Sequence, residues 1–325
     1  MDAFLDPSYL NKKVEVARDR IRRHAGRPWL VAWSGGKDST TALHLAWEVA
    51  EELNRELAVV YHDTLLELPW MRDWVYGTIP RLARRARVIV TVPRVDYLAG
   101  VLGAGYSPPA PVKPWCVTAF KMGPARRLGL PRGCVTIAGI RAGESGRRGR
   151  LARGRAAGDI STQYYAAGGW RVAPIADWTA ADVWLFLKAR RQPWSGGDYS
   201  PLFRAYLGDP AARFGCSLCT VSRRLDHLRL AARADPRYGR VRGLVLRLRE
   251  IATDPRYWRP GMRVSDEGLR LAREILVEIF TLAPELLSGY ATFKPEAVEK
   301  YLPEVAHLLP KYRMAIPDVV EVREL

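Results

Sequence analysis

Four short apolar runs, at residues 28–33, 57–62, 88–92 and 135–140, constrain the fold of this chain more than any other feature. The first, Pro28-Trp29-Leu30-Val31-Ala32-Trp33, shows no alternation of polar and apolar residues. Such a run suits a strand buried on both faces, the situation in a parallel sheet covered by helices. Between the runs lie stretches of helical periodicity at 8–25, 38–53, 70–85 and 117–129. Strands that alternate with helices build βαβ units. The expected fold class is therefore α/β: a doubly wound, mainly parallel sheet, with a helical C-terminal region. In such sheets ligands bind beyond the carboxyl ends of the strands. From about residue 225 the pattern changes to helices alone. Leu269, Ala272, Ile275, Leu276, Ile279 and Phe280 form an apolar stripe, started by Ser265 with Asp266 and Glu267. Two domains are expected, a nucleotide-binding α/β domain at 1–225 and a helical domain at 226–325.

Ser34-Gly35-Gly36-Lys37-Asp38-Ser39 joins the first strand to its helix. Glycines there let the backbone curl round phosphate oxygens, and a helix start offers N–H groups to an anion. Lys37, read as a solvent-facing loop residue, adds a point charge, and the hydroxyls of Ser34, Ser39 and Thr40 add donors. The segment is not a Walker A loop, because Asp38 follows Lys37 and the glycine spacing differs. The competing reading is a plain strand–helix turn. His62-Asp63-Thr64 closes the second strand; Asp63 suits a base, a ribose or Mg²⁺, or else caps the strand. Gly139-Ile140-Arg141 follows the fourth strand. Arg141 and Arg148 suit phosphate or sulfate, against a solvated basic loop at 141–170 in which Glu144 serves as anchor. Trp178 and Trp184 read as core.

These segments resemble the PP-loop ATP pyrophosphatase superfamily. Ser34-Gly35-Gly36-Lys37-Asp38-Ser39 is similar to its SGGKDS signature. Asp63-Thr64-Leu65-Leu66-Glu67-Leu68-Pro69, Gly139 to Arg148 (which includes Glu144 and Ser145) and Pro174 to Trp184 resemble segments of the phosphoadenylylsulfate reductase branch. The resemblance implies an ATP site that includes Ser34, Gly35, Gly36, Lys37, Asp38, Ser39, Thr40, Asp63, Thr64, Gly139, Glu144 and Ser145. It implies Mg²⁺, cleavage of ATP between the α- and β-phosphates, and Lys37, Asp38, Arg141 and Arg148 as the reactive set.

There are four cysteines, too few for a disulfide scaffold at this length. Cys216-Ser217-Leu218-Cys219 is a CxxC, and Cys116 opens a helix after Lys113-Pro114-Trp115. A CxxC with a distant third cysteine suits a [4Fe–4S] cluster or a zinc site, against buried thiols without metal. Cys134 lies at the far end of the intervening helix and is expected apart from Cys116, Cys216 and Cys219. No cysteine follows Cys219, whereas sulfonucleotide reductases use a C-terminal one, and Cys116-Val117 replaces the Cys–Cys pair of their iron–sulfur forms. The segment Arg213 to Val221 is closer to the PP-loop sulfurtransferase component of DNA phosphorothioation (Dnd) systems.

The chain has 51 Lys and Arg against 34 Asp and Glu, a net charge of +17. That field attracts polyanions, nucleic acid foremost, although an Arg-rich genome would produce the same balance. No apolar run approaches a membrane span and no secretory signal is read at Met1 to Pro7, so the expected location is the cytoplasm. Three functions remain: sulfur transfer from ATP and a cluster to DNA or tRNA, with a sulfur donor such as a cysteine desulfurase; reduction of a small sulfonucleotide; or nucleic-acid binding with a regulatory nucleotide site.

Overall fold

The computed structural model describes residues 7–144, 159–161, 170–222, 224–318 and 320–325. The expectations placed on Ser145, Arg148 and most of the Arg- and Gly-rich stretch lie outside these residues.

A seven-stranded sheet organises the molecule, in the order β5 (Asp159–Ser161), β6 (Trp170–Val172), β4 (Val135–Ala138), β1 (Trp29–Ala32), β2 (Leu57–His62), β3 (Ala86–Val92), β9 (Glu321–Glu324). The expected runs appear as β1 (Trp29–Ala32), β2 (Leu57–His62), β3 (Ala86–Val92) and β4 (Val135–Ala138). All pair in parallel, β1 between β2 and β4. Their central residues are buried on both faces, which is why the sequence runs lack alternation. The covering helices are α1 (Pro7–Arg22), α2 (Lys37–Glu52) and α3 (Pro69–Leu82). The edge strand β5 (Asp159–Ser161) is antiparallel to β6 (Trp170–Val172), which itself runs parallel to β4. These two strands are only three residues long, too short for a periodicity signal.

Further along, α4 covers Ala180–Ala189. Thr179 and Asp182 form a capping box, and Lys13 of α1 reaches the Asp182 carboxylate at 2.6 Å. The C-terminal helices α5 (Asp226–Ala234), α6 (Arg237–Thr253) and α7 (Asp266–Leu282) follow. Ser265 caps α7 by accepting the Gly268 N–H at 3.2 Å, and Asp266 and Glu267 sit in its first turn, where the helix dipole favours carboxylates.

The C-terminal segment is not helices alone. Trp258–Arg259 (β7) and Arg263–Val264 (β8) make a small hairpin, and β9 (Glu321–Glu324) returns to the main sheet beside β3. β9 alternates half-buried with exposed residues, as an edge strand does, and its charged sequence carries no strand signal. One buried cluster runs from Val14 of α1 through Leu276 of α7, so the last hundred residues share a core with the sheet. Among the described residues no single helix is long and apolar enough to cross a membrane.

Candidate functional site

The strand order reverses at β1, which has β2 on one side and β4 on the other. A crevice opens there beyond the carboxyl ends. Gly35 takes φ +75°, and a Cβ on it would lie 2.4 Å from Val75 Cγ2. Glycine is thus required twice over, by backbone conformation and by the approach of α3. Gly139 permits the other close passage. A Cβ there would lie 2.2 Å from the Asp38 carbonyl oxygen and 2.4 Å from the Ser39 nitrogen. The end of β4 therefore rests directly on the first turn of α2.

No side chain caps α2 at Gly36, so its first turn keeps N–H groups without intrahelical partners. The hydroxyls of Ser34 and Ser39 meet at 3.0 Å, and Ser39 Oγ accepts the Ser34 N–H at 3.1 Å. These bonds fix the turn before any anion arrives. Thr40 stands behind it, fully buried, accepting a hydrogen bond from Trp33 Nε1 at 3.0 Å.

Lys37 is not solvent-facing. It is 4% exposed, with Nζ 3.5 Å from the Ala212 carbonyl and 4.9 Å from the centre of the Tyr206 ring. Its N–H donates to the Tyr206 hydroxyl at 3.0 Å. Both contacts come from the segment that leads to the CxxC, which folds over the turn. Asp38 receives Arg141 Nε at 2.6 Å, so these two residues of the expected reactive set are an ion pair across the crevice edge.

The second strand end differs. Asp63 is wholly buried. Arg72 Nη1 donates to both of its oxygens, at 3.0 and 2.8 Å, joined by the Tyr76 hydroxyl at 2.5 Å and the Leu65 N–H at 2.7 Å. The carboxylate closes the turn after β2 and ties α3 to it, and offers no oxygen free for Mg²⁺ or ribose. Thr64 does face the crevice. Its hydroxyl donates to Glu67 at 2.8 Å and lies 3.2 Å from Cys216 Sγ.

One pocket spans these parts, lined on one side by Ser34 and Gly36 and on the other by Gly215 and Cys216. Its walls are apolar at Val60, Leu68, Met71 and Val75, and three polar atoms among its lining residues lack partners: Tyr61 Oη, His62 Nε2 and Glu67 Oε2. Burial holds the His62 imidazole neutral, its pKa lowered to about 4, with Lys121 adding to the effect. Burial, then the Asp63 charge, pushes Glu67 up to about 8. Both groups are thus uncharged near neutrality, and buried hydrogen-bonding atoms without partners lie behind an apolar wall. That suits a heterocyclic base.

Ser217 N–H donates to the Leu66 carbonyl at 2.6 Å, which pins the CxxC loop to the turn after β2. Burial, then Glu67, raises the Cys216 thiol to about 12; burial, then Cys219, raises Cys116 to about 11. Cys219 acts electrostatically on Cys116 and on Cys216, so the three thiols share one neighbourhood, and Lys121 is the cation that opposes both rises. Cys134 packs elsewhere, in a separate small cluster with Leu30, Val60, Ile89 and Leu128. Among the described residues no group of three or more His, Cys, Asp or Glu is gathered closely enough to hold a metal ion. The Ser222 N–H at 3.4 Å from Cys219 Sγ is a donor suited to thiolate sulfur, whereas the Thr64 hydroxyl, its hydrogen given to Glu67, accepts from the Cys216 thiol.

Residues 28–222 match the family model described as phosphoadenosine phosphosulfate reductase domain. The chain belongs to this family. The matched span holds the turn, Arg141 and the CxxC of this phosphoadenosine phosphosulfate reductase domain, and stops before the C-terminal helices. Among solved structures the chain is similar to the phosphoadenylyl-sulfate (PAPS) reductase from Candida auris in its phosphate complex. Identity is 12%, 65% of this chain and 96% of that one are covered, and the TM-score is 0.41. No curated protein matches. Trp178 and Trp184 of the domain are buried, 2% and 6% exposed, as expected of core residues. Glu144 ends a short 3₁₀ turn.

Four lining residues went unnoticed in the sequence: Tyr61, His62, Lys121 and Tyr206. The first two end an apolar strand, where the topology rule could have found them. Lys121 stands five residues after Cys116. Tyr206 carries no signal, because its partner Lys37 is far away in the chain.

Proposed function

We propose that this chain is a PP-loop enzyme of sulfur transfer that binds ATP in the crevice and acts on nucleic acid. One observation carries the reading: Ser34 and Gly36 of the phosphate-type turn and Cys216 of the CxxC line a single pocket. A nucleotide there would set its phosphates on the first turn of α2 and its base against Tyr61, His62 and Glu67. Lys37, held beneath Tyr206, would turn from the Ala212 carbonyl to the diphosphate. Arg141, held by Asp38, would meet the α-phosphate side. An acceptor phosphate oxygen attacks the α-phosphorus, diphosphate leaves, and sulfide then displaces AMP from the acceptor. Charge on the departing diphosphate is met by Lys37 and by the open N–H groups of α2.

Cys116, Cys216 and Cys219 would hold a [4Fe–4S] cluster, which when bound supplies an iron position with no protein thiolate, suited to carrying sulfide. Mg²⁺ would enter with the phosphates, since Asp63 is committed to Arg72. The alternative is a small-sulfonucleotide reductase, for which residues 220–325 supply no cysteine. The net charge of +17 favours a polyanionic acceptor.

The test is an anaerobic preparation assayed for iron, acid-labile sulfide and diphosphate release from ATP with and without DNA or tRNA. The reading expects about four irons per chain and release stimulated by one nucleic acid. Release without iron, or iron without release, would overturn it.

A further inference from the structure

The β7–β8 hairpin lies against the loop that leads into Cys116. Val264 N–H donates to the Gly105 carbonyl at 2.9 Å, and Tyr106 bridges to Arg263. On the other side of this loop the Thr220 hydroxyl, just past the CxxC, donates to the Pro109 carbonyl. The loop is therefore held between the hairpin and the cysteine segment. Trp115, next to Cys116, lies between the two. Its ring packs on Tyr97, and it also lines a small groove beneath Trp258.

The outer face of that groove has an unusual composition. Trp258 is 40% exposed, although an indole buries more apolar area than almost any side chain. Its Nε1 is held at 3.3 Å by the Ala252 carbonyl, which sets the ring, and Lys113 Nζ stands 5.1 Å from the ring centre. Arg259 and Arg263 flank it. Their guanidinium groups donate to backbone carbonyls, of Trp258 at 3.3 Å and Ala104 at 2.8 Å. Among the described residues, Lys113, Arg259 and Arg263 form no ion pair with a carboxylate. Nearby Arg256 does, with Asp254 at 2.6 Å. Three uncompensated cations round one fixed, half-open indole match the needs of a single strand: phosphates for the cations, and a base face for the ring.

We infer that Trp258, with Lys113, Arg259 and Arg263, docks an unpaired stretch of nucleic acid and leads it past Trp115 to Cys116. This rests on the reading that the acceptor is a nucleic acid. It adds where that acceptor is gripped and that the gripped part is single-stranded. The hairpin lies beyond the 28–222 span that matches the family, so Trp258, Arg259 and Arg263 of the grip belong to the C-terminal region and Lys113 to the matched domain.

The experiment is fluorescence anisotropy of the whole chain with labelled dT₂₀, labelled rU₂₀ and a 20-base-pair duplex across a salt series. Wild type binds a single strand more tightly than duplex, and the stronger of dT₂₀ and rU₂₀ identifies the source. Trp258→Ala weakens that binding about 5- to 150-fold, the range for loss of one base–aromatic stack. Trp258→Phe recovers most of the loss. Lys113→Glu with Arg259→Glu flattens the slope of log affinity against log salt by about 0.7 per lost phosphate contact. ATP affinity and thermal midpoint stay at wild-type values in Trp258→Ala, which separates loss of grip from loss of fold. Wild-type binding that both variants retain overturns the inference and leaves the nucleic-acid reading standing. Preference for duplex overturns the single-strand claim. Absence of binding to all three probes at low salt overturns the inference together with the nucleic-acid acceptor.

Discussion

The ends of β1 and β2 carry the same chemistry in neighbouring positions of one sheet: an aspartate, an arginine partner and a turn before a helix. Their environments set them apart. Asp63 and Arg72 are 0% and 1% exposed in their side chains, and the carboxylate has every oxygen taken. Asp38 and Arg141 are 14% and 10% exposed, at the edge of the crevice, and the Asp38 carboxylate takes the guanidinium at 2.6 Å through one oxygen and at 3.4 Å through the other. The first pair is a beam of the fold. The second is at the lip of the site, where a phosphate can compete for the guanidinium. Residue type therefore does not decide which aspartate serves a ligand; depth does.

The comparison breaks first on stability. Arg72→Ala leaves a buried carboxylate without its cation and is expected to cost about 3–5 kcal/mol, enough to abolish cooperative folding in a marginal protein. Asp38→Ala is expected to cost about 1 kcal/mol or less in urea unfolding, because a pair near the surface contributes little, while lowering diphosphate release about 100-fold through misplacement of Arg141. Equal stability losses in the two variants would erase the distinction.

Gly139→Ala sharpens it at the lip. The new methyl group would meet backbone at 2.2 Å, which cannot swing aside as a side chain could. A loss of about 1–3 kcal/mol in stability is expected, with ATP affinity falling at least about tenfold by calorimetry as the first turn of α2 is displaced. Wild-type affinity in this variant would show that β4 does not set the turn.

Acid addresses the pocket wall. His62 and His227 both have pKa values lowered from 6.5 to about 4, by burial first. The unfolded chain binds these two protons below pH 6.5 while the folded chain does not. Stability is therefore whole above that pH and declines as pH falls toward 4, by about 1.4 kcal/mol per pH unit for each histidine. Chemical unfolding at pH 7, 6 and 5 checks this, and His62→Gln should remove its half of the slope. The smallest effect is at the distal cap: Thr179→Ala should cost about 1 kcal/mol and leave ATP binding unchanged.

The sheet was legible because β1 to β4 are buried on both faces and write that burial into unbroken apolar runs. The turn was legible because Gly35 is there for a backbone reason that few other residues satisfy. What escaped has physical causes too. Strands β5 and β6 are too short to show a period, and β9 is an edge strand rich in charge. The burial of Lys37 depends on Tyr206 and Ala212, which reach it through tertiary folding alone. The commitment of Asp63 to Arg72 was invisible for the opposite reason: the arginine is nine residues on, close in the chain, but nothing in its spacing says that α3 turns it inward.

The central claim is that the phosphate-type turn and the CxxC share one pocket, so a bound nucleotide must cover Cys216. Anaerobic, metal-free protein can be alkylated with N-ethylmaleimide in the presence and absence of ATP, and each cysteine followed by mass spectrometry. The account predicts that ATP slows alkylation of Cys216 several-fold in wild type, not in Lys37→Ala, and leaves Cys134 unaffected in both. Unchanged alkylation of Cys216 under conditions where calorimetry shows ATP bound would contradict it.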